Sequence, residues 1–130
     1  MANETILIVE DNEKNRKLAR DVLTFRGYKV TVAENAEDGL KIARETPPDL
    51  VLMDIHLPGM NGIEALGELR AGESTRDIPV LAFTASVMPQ DRHTITSAGF
   101  DGFLSKPIAI KELGDTIAAA LAKRGGKEGA

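Results

Sequence analysis

Four short apolar runs in this chain each deliver a reactive group at or just beyond their C-terminal end. Ile6-Leu7-Ile8-Val9 leads into Glu10-Asp11, Leu50-Val51-Leu52-Met53 into Asp54, Val80-Leu81-Ala82-Phe83 into Thr84, and Phe103-Leu104-Ser105 into Lys106-Pro107. In an open parallel sheet that edge is where ligands bind. Three carboxylates, a hydroxyl and an ammonium suit a divalent cation and a phosphoryl group. Glu10, Asp11 and Asp54 can converge only if the first and third runs are neighbouring strands. Brought together they repel, and a cation neutralises them. All-oxygen ligation favours Mg²⁺ or Mn²⁺ over zinc, and a backbone carbonyl after Asp54, that of His56, can complete the set.

With a metal beside it, the Asp54 carboxylate can attack a phosphoryl group and form an acyl phosphate. Such transfer depends on in-line positioning and on neutralising the equatorial oxygens. The metal, Lys106 and Thr84 can each take one oxygen, and Lys106 can pair with Asp54 or Asp11 when the site is empty. Each residue also has an ordinary alternative. Asp11 can cap a helix, Thr84 can be a β-branched strand residue, and Lys106 can be a solvated lysine before a proline. Asp54 stands apart because it terminates the most hydrophobic run, where a partly desolvated carboxylate needs a partner.

The elements that must position these groups alternate along the chain. Ile6–Val9 reads as a buried strand and Asn12–Phe25 as a helix, capped by Asp11 or Asn12 and carrying Leu18, Ala19, Val22 and Phe25 at helical spacing. Gly27 ends that helix. Strands over 29–33, 50–53, 80–83 and 102–105 follow, with helices over 36–45, 63–70, 90–98 and 110–123 between and after them. Asn35 caps the second helix, with Glu37 and Asp38 in its first turn. Pro58-Gly59-Met60-Asn61-Gly62 reads as a loop or turn. Pro89 suits a first helical turn, although Thr94, Thr96 and Ser97 make that helix weak. On the last helix Ile110, Leu113, Ile117 and Leu121 form an apolar stripe, and Gly125, Gly126 and Gly129 suggest a flexible tail over 124–130. Five strands alternating with five helices predict an α/β domain over 1–123, a doubly wound parallel sheet covered on both faces.

Composition narrows the function classes. The chain has 130 residues, 42% of them hydrophobic and only 4% aromatic, so its core is aliphatic. A net charge of −4 with interspersed signs gives no electrostatic reason to bind nucleic acid or an anionic membrane. The absence of cysteine excludes disulfides, thiolate metal sites and cysteine nucleophiles. The opening residues lack the pattern of a signal peptide, and no apolar run approaches a membrane span, so a cytoplasmic location is expected.

Taken together, Val9-Glu10-Asp11-Asn12, Leu52-Met53-Asp54-Ile55-His56-Leu57-Pro58-Gly59-Met60-Asn61-Gly62, Thr84-Ala85 and Ser105-Lys106-Pro107 resemble the receiver domain of two-component response regulators. The closest character is that of single-domain regulators of cell-cycle and chemotaxis signalling. That resemblance implies a flavodoxin-like (βα)5 fold, strand order 2-1-3-4-5, in three α/β/α layers. It implies that Asp54 accepts a phosphoryl group from a phosphohistidine on a histidine kinase or histidine phosphotransfer protein. Asp11 would be the principal metal ligand with Asp54, and Glu10 would act mostly through water. Thr84 and Lys106 would hold the hydroxyl and lysine positions, Pro107 would follow a cis peptide bond, and Phe103 would be an aromatic switch that turns inward as Thr84 moves. The first helix would dock the phosphodonor, and the fourth helix, fifth strand and fifth helix would face a downstream protein target. Such a chain is a switch with Mg²⁺-assisted self-dephosphorylation rather than an enzyme.

Other readings exist for the same residues. An aspartyl phosphohydrolase would place an acid two residues after the nucleophile, where this chain has His56. A flavin-binding module would need a phosphate-cradling loop where Glu10-Asp11 stand. A degenerate receiver would serve only as a phosphorylation-independent binding platform. His56 and His93 read as solvated residues.

Overall fold

The computed structural model describes residues 4–55, 57, 59–84, 89–105 and 110–129, with side chains outside 89–92, 110 and 123–129. Its elements alternate strictly: β1 (Thr5–Val9), α1 (Glu13–Phe25), β2 (Lys29–Ala33), α2 (Ala36–Glu45), β3 (Leu50–Asp54), α3 (Gly62–Ala71), β4 (Val80–Thr84), α4 (Pro89–Ala98), β5 (Gly102–Ser105) and α5 (Ile110–Gly129). The strands form one parallel sheet in the order β2-β1-β3-β4-β5. This is the flavodoxin-like (βα)5 arrangement, and it makes β1 and β3 neighbours.

The central strands are apolar on both faces because helices cover both. Every residue of β3 and β4 is buried, whereas the edge strand β2 alternates exposed and half-buried positions up to the buried Ala33. One core layer lies under α1 and α5 and includes Ile6, Ile8, Ala19, Leu23, Leu52, Phe83, Leu113 and Ile117. The other lies under α2, α3 and α4 and includes Leu7, Val9, Leu40, Met53, Leu66, Leu69 and Ile95.

Local signals set the helix ends. Asn12, not Asp11, caps α1, its side chain accepting from the Asn15 amide. Gly27 leaves α1 at φ 97°, which costs a residue without Cβ nothing. Gly27 N–H then donates to Thr24 and Tyr28 N–H to Leu23, so the helix ends in a Schellman motif, with Tyr28 and Leu23 in one apolar cluster. Asn35 caps α2 as expected. The turn before α3 holds an unanticipated capping box, in which Asn61 accepts from the Glu64 amide and Glu64 accepts from the Asn61 amide.

Two expectations require correction. Phe25 does not belong to the buried stripe of α1, because it is 92% exposed while Leu23 is fully buried. Ala19 and Leu23 define the buried line, and at 3.6 residues per turn Phe25 sits about 120° around the helix from Ala19. The last helix also continues to Gly129, past Lys123. Glycine costs a helix roughly 1 kcal/mol relative to alanine but poses no steric block, so Gly125 and Gly126 do not end it. Of the apolar stripe of α5, Leu113 and Ile117 are fully buried and Leu121 packs against the same cluster, while the Ile110 side chain lies outside the described residues.

Candidate functional site

The C-terminal edge of the sheet assembles the acids. β1 and β3 run side by side in the register Ile8↔Leu52 and Val9↔Met53. The next residue along each strand is therefore Glu10 on one and Asp54 on the other, with Asp11 one step beyond. Carboxylate oxygens of Glu10, Asp11 and Asp54 all lie within 4.8 Å of one another. Glu10 and Asp54 are buried and Asp11 is exposed. Two acids thus form the floor of the site and the third its solvent-facing wall.

Glu10 is held from several sides. Its amide donates to the Ala33 carbonyl at 3.0 Å, its Oε2 accepts from the Asn12 amide at 3.0 Å, and its carbonyl accepts from Arg16 at 3.0 Å. Asp54 ends β3 opposite Phe83 of β4, and the next amide, that of Ile55, donates to the Phe83 carbonyl at 3.2 Å. Thr84 follows Phe83, is buried, and lies opposite Ser105 of β5. Phe103 pairs with Ala82 and is half-buried, packing against the core layer under α2, α3 and α4. His56, Lys106 and Pro107 lie outside the described residues. His93 is exposed on α4.

The donor set fits a hard divalent cation. It offers three carboxylates clustered closely enough to share one ion, with no nitrogen or sulfur among them. Mg²⁺ keeps several waters and takes few protein ligands, which matches a cluster with one side open to solvent.

Two contributors were not singled out from the sequence. Gly62 opens α3 directly against the end of β3: a Cβ there would collide with the Asp54 carbonyl oxygen and lie 2.9 Å from Ile55 Cα, while its amide donates to the Ile55 carbonyl at 3.0 Å. Arg16 reaches back to the turn that carries Glu10 and Asp11. Its signal was available, because a cation in the first turns of a helix opposes the macrodipole.

An open doubly wound sheet that gathers acids at its β1/β3 switch point belongs to the flavodoxin-like class of ligand-binding α/β domains. Residues 6–118 match the family model of the response regulator receiver domain, and the chain belongs to that family. The polar-differentiation response regulator DivK of Brucella anthropi is 41% identical over 118 residues, spanning 91% of this chain and 96% of that one. Among solved structures, the receiver domain of a sensor histidine kinase from Pseudomonas aeruginosa has a TM-score of 0.86 at 33% identity and covers 93% of this chain and 99% of its own. It was solved with a magnesium ion coordinated in the active site cleft. The chemotaxis protein CheY4 of Vibrio cholerae gives a TM-score of 0.86 at 25% identity, covering 92% of this chain and 99% of its own. Among the described residues, no helix is long and apolar enough to cross a membrane.

Proposed function

We propose that the protein is a phosphoacceptor switch in which Asp54 takes a phosphoryl group from a phosphohistidine on a histidine kinase or histidine phosphotransfer protein. The observation that carries this reading is the convergence of Glu10, Asp11 and Asp54 at the edge of a receiver-family sheet. Mg²⁺ would be held by Asp11, Asp54 and the His56 backbone carbonyl, with Glu10 acting through water, and would supply neutralisation of the phosphoryl oxygens.

The chain's own residues do the rest. An Asp54 carboxylate oxygen bonds to phosphorus as the phosphorus–nitrogen bond breaks, and the imidazole nitrogen keeps the electron pair. The Thr84 hydroxyl donates to one phosphoryl oxygen and the Lys106 ammonium pairs with another. Thr84 shifts toward the phosphoryl group, Phe103 turns inward, and the face formed by α4, β5 and α5 changes its preference for a downstream protein. Attack of water on phosphorus releases phosphate and restores Asp54. The half-burial of Phe103 supports this role, since the ring still has apolar surface to bury.

Intact mass after incubation with a small acyl phosphate tests the reading. One added phosphoryl group that requires both Mg²⁺ and Asp54, and is absent in Asp54→Asn, is the expected result. A wild-type chain that takes up no phosphoryl group, even with a cognate kinase supplied, would instead mark a phosphorylation-independent binding platform.

A further inference from the structure

We infer that Arg16 is a positioning residue for the metal site, acting through the backbone of the turn that carries two of its three acids. The inference rests on the reading of the acidic cluster as a Mg²⁺ site. Arg16 Nη1 donates to the carbonyl oxygens of both Glu10, at 3.0 Å, and Asp11, at 3.4 Å. Its side chain also lines a cleft of about 530 Å³ with Glu34, Asp38 and Glu45. Among the described residues, its hydrogen bonds nevertheless go to carbonyls and it forms no ion pair.

The two acids differ in how much they depend on this contact. Glu10 is buried and is fixed through its amide and its Oε2 as well. Asp11 is exposed, and among the described residues its carboxylate takes no hydrogen bond. The direction of the Asp11 carboxylate therefore follows from its backbone, and Arg16 is the side chain that grips that backbone.

A guanidinium in this place has two opposing effects on a cation. Its charge disfavours a second positive charge nearby, while its hydrogen bonds keep the ligands converged before the ion arrives. Partners that orient metal ligands typically contribute about 10- to 100-fold in affinity, whereas the half-buried Arg16 lines an open cleft that also holds Glu34, Asp38 and Glu45, whose opposite charges offset its own. Positioning therefore outweighs repulsion, and removal of Arg16 weakens Mg²⁺ binding instead of strengthening it.

Calorimetric titration of the metal-free full chain with Mg²⁺ tests this, using Arg16→Met, Arg16→Lys and Arg20→Met. Arg20 lines the same cleft but pairs with Asp21. Arg16→Met should raise the Mg²⁺ Kd about tenfold, and Arg16→Lys, which keeps a donor able to reach a carbonyl, should restore part of the loss. Arg20→Met should leave the Kd unchanged or slightly tighter. Phosphoryl uptake by Arg16→Met should return to the wild-type level at saturating Mg²⁺, a recovery that general loss of structure would not allow. An unchanged or tighter Kd in Arg16→Met overturns the role of Arg16 while leaving the metal site intact. Equal weakening in Arg20→Met overturns it as well. Should Arg16→Met not fold, Arg16→Lys matching wild type with Arg20→Met weakened overturns the inference, and the reverse order supports it. Wild-type protein that takes up no Mg²⁺ overturns the reading of the cluster itself.

Discussion

One aspartate immediately precedes strand β3 and another ends it, and the two are used in opposite ways. Asp49, at its entrance, accepts the Thr5 amide of β1 at 2.8 Å while its own amide donates to the Thr5 carbonyl at 2.8 Å. Asp101 repeats the arrangement at the entrance of β5: its Oδ2 accepts the Val80 amide at 2.8 Å, and its amide donates to the Val80 carbonyl at 2.8 Å. Arg70, in the last turn of α3, pairs with Asp101 at 2.9 Å and also donates to the carbonyls of Arg76 and Ile78. At this N-terminal edge, acids satisfy the first free amides of neighbouring strands and fasten loops to the sheet. At the C-terminal edge Asp54 is instead gathered with Glu10 and Asp11. Residue type is the same at both edges. The N-terminal edge sets its acids apart, each on the amide of a neighbouring strand, while the C-terminal edge brings three carboxylates close enough together to share a cation.

Substitutions at the two edges should separate in sign and in metal dependence. The largest effect is expected from Gly62→Ala, where a Cβ meets the backbone of Asp54 and Ile55. Denaturant unfolding should show a loss of about 3 kcal/mol, and a neutral result would mean that α3 is free to slide on the end of β3. Next, Mg²⁺ at a hundred times its Kd should stabilise the wild-type chain by about 2.7 kcal/mol. Asp11→Asn should lose most of that gain, and a full gain in this variant would remove Asp11 from the ligand set.

Asp101→Ala should cost about 2 kcal/mol, since it strips partners from the Val80 amide and from Arg70. Its Mg²⁺-dependent gain should match wild type, and a changed gain would show that the two edges are coupled. In metal-free protein, Asp11→Asn should stabilise by about 1 kcal/mol or less, because one of three clustered charges is removed at an exposed position. Destabilisation of the metal-free chain would contradict the contrast between the edges.

The smallest effect concerns Tyr28. Burial raises its phenol above the usual 10.0, the Glu4 carboxylate raises it further, and Arg26 partly offsets both. The folded state holds the phenol proton more tightly than the unfolded chain. The resulting stability is fully present below pH 10.0 and is lost as pH rises through the raised folded value. Tyr28→Phe should flatten that alkaline decline in thermal unfolding, and an unchanged profile would exclude Tyr28 as its source.

Much of the site was readable because its residues terminate apolar runs. Asp54 ends a strand with no polar residue between Leu50 and Met53, and Thr84 ends another, so their edge follows from the direction of the chain alone. Alternation of strands and helices, however, does not give strand order. The resemblance to receiver domains supplied the order 2-1-3-4-5, and the sheet bears it out. Phe25 was misread because a three-residue helical step is compatible with both the inner face of α1 and its flank, and only packing against α5 and the sheet selects Leu23. The capping box at Asn61 and Glu64 was missed for another reason: a stretch rich in glycine and proline reads as loop until its hydrogen bonds are seen.

The ten alternating elements, the aliphatic character of the core and the identity of the acids at the strand ends are all legible without the fold. Those features are local, set by apolar runs, helical spacing and caps within a few residues. Tertiary structure alone decided which acid serves which purpose. Asp49 and Asp101 face backbone amides, Asp54 faces other carboxylates, and Arg16 grips two carbonyls rather than an acid. A carboxylate's role depends on whether a donor or another negative charge lies within a few ångströms. That neighbour comes from a distant part of the chain, brought close only when the sheet forms.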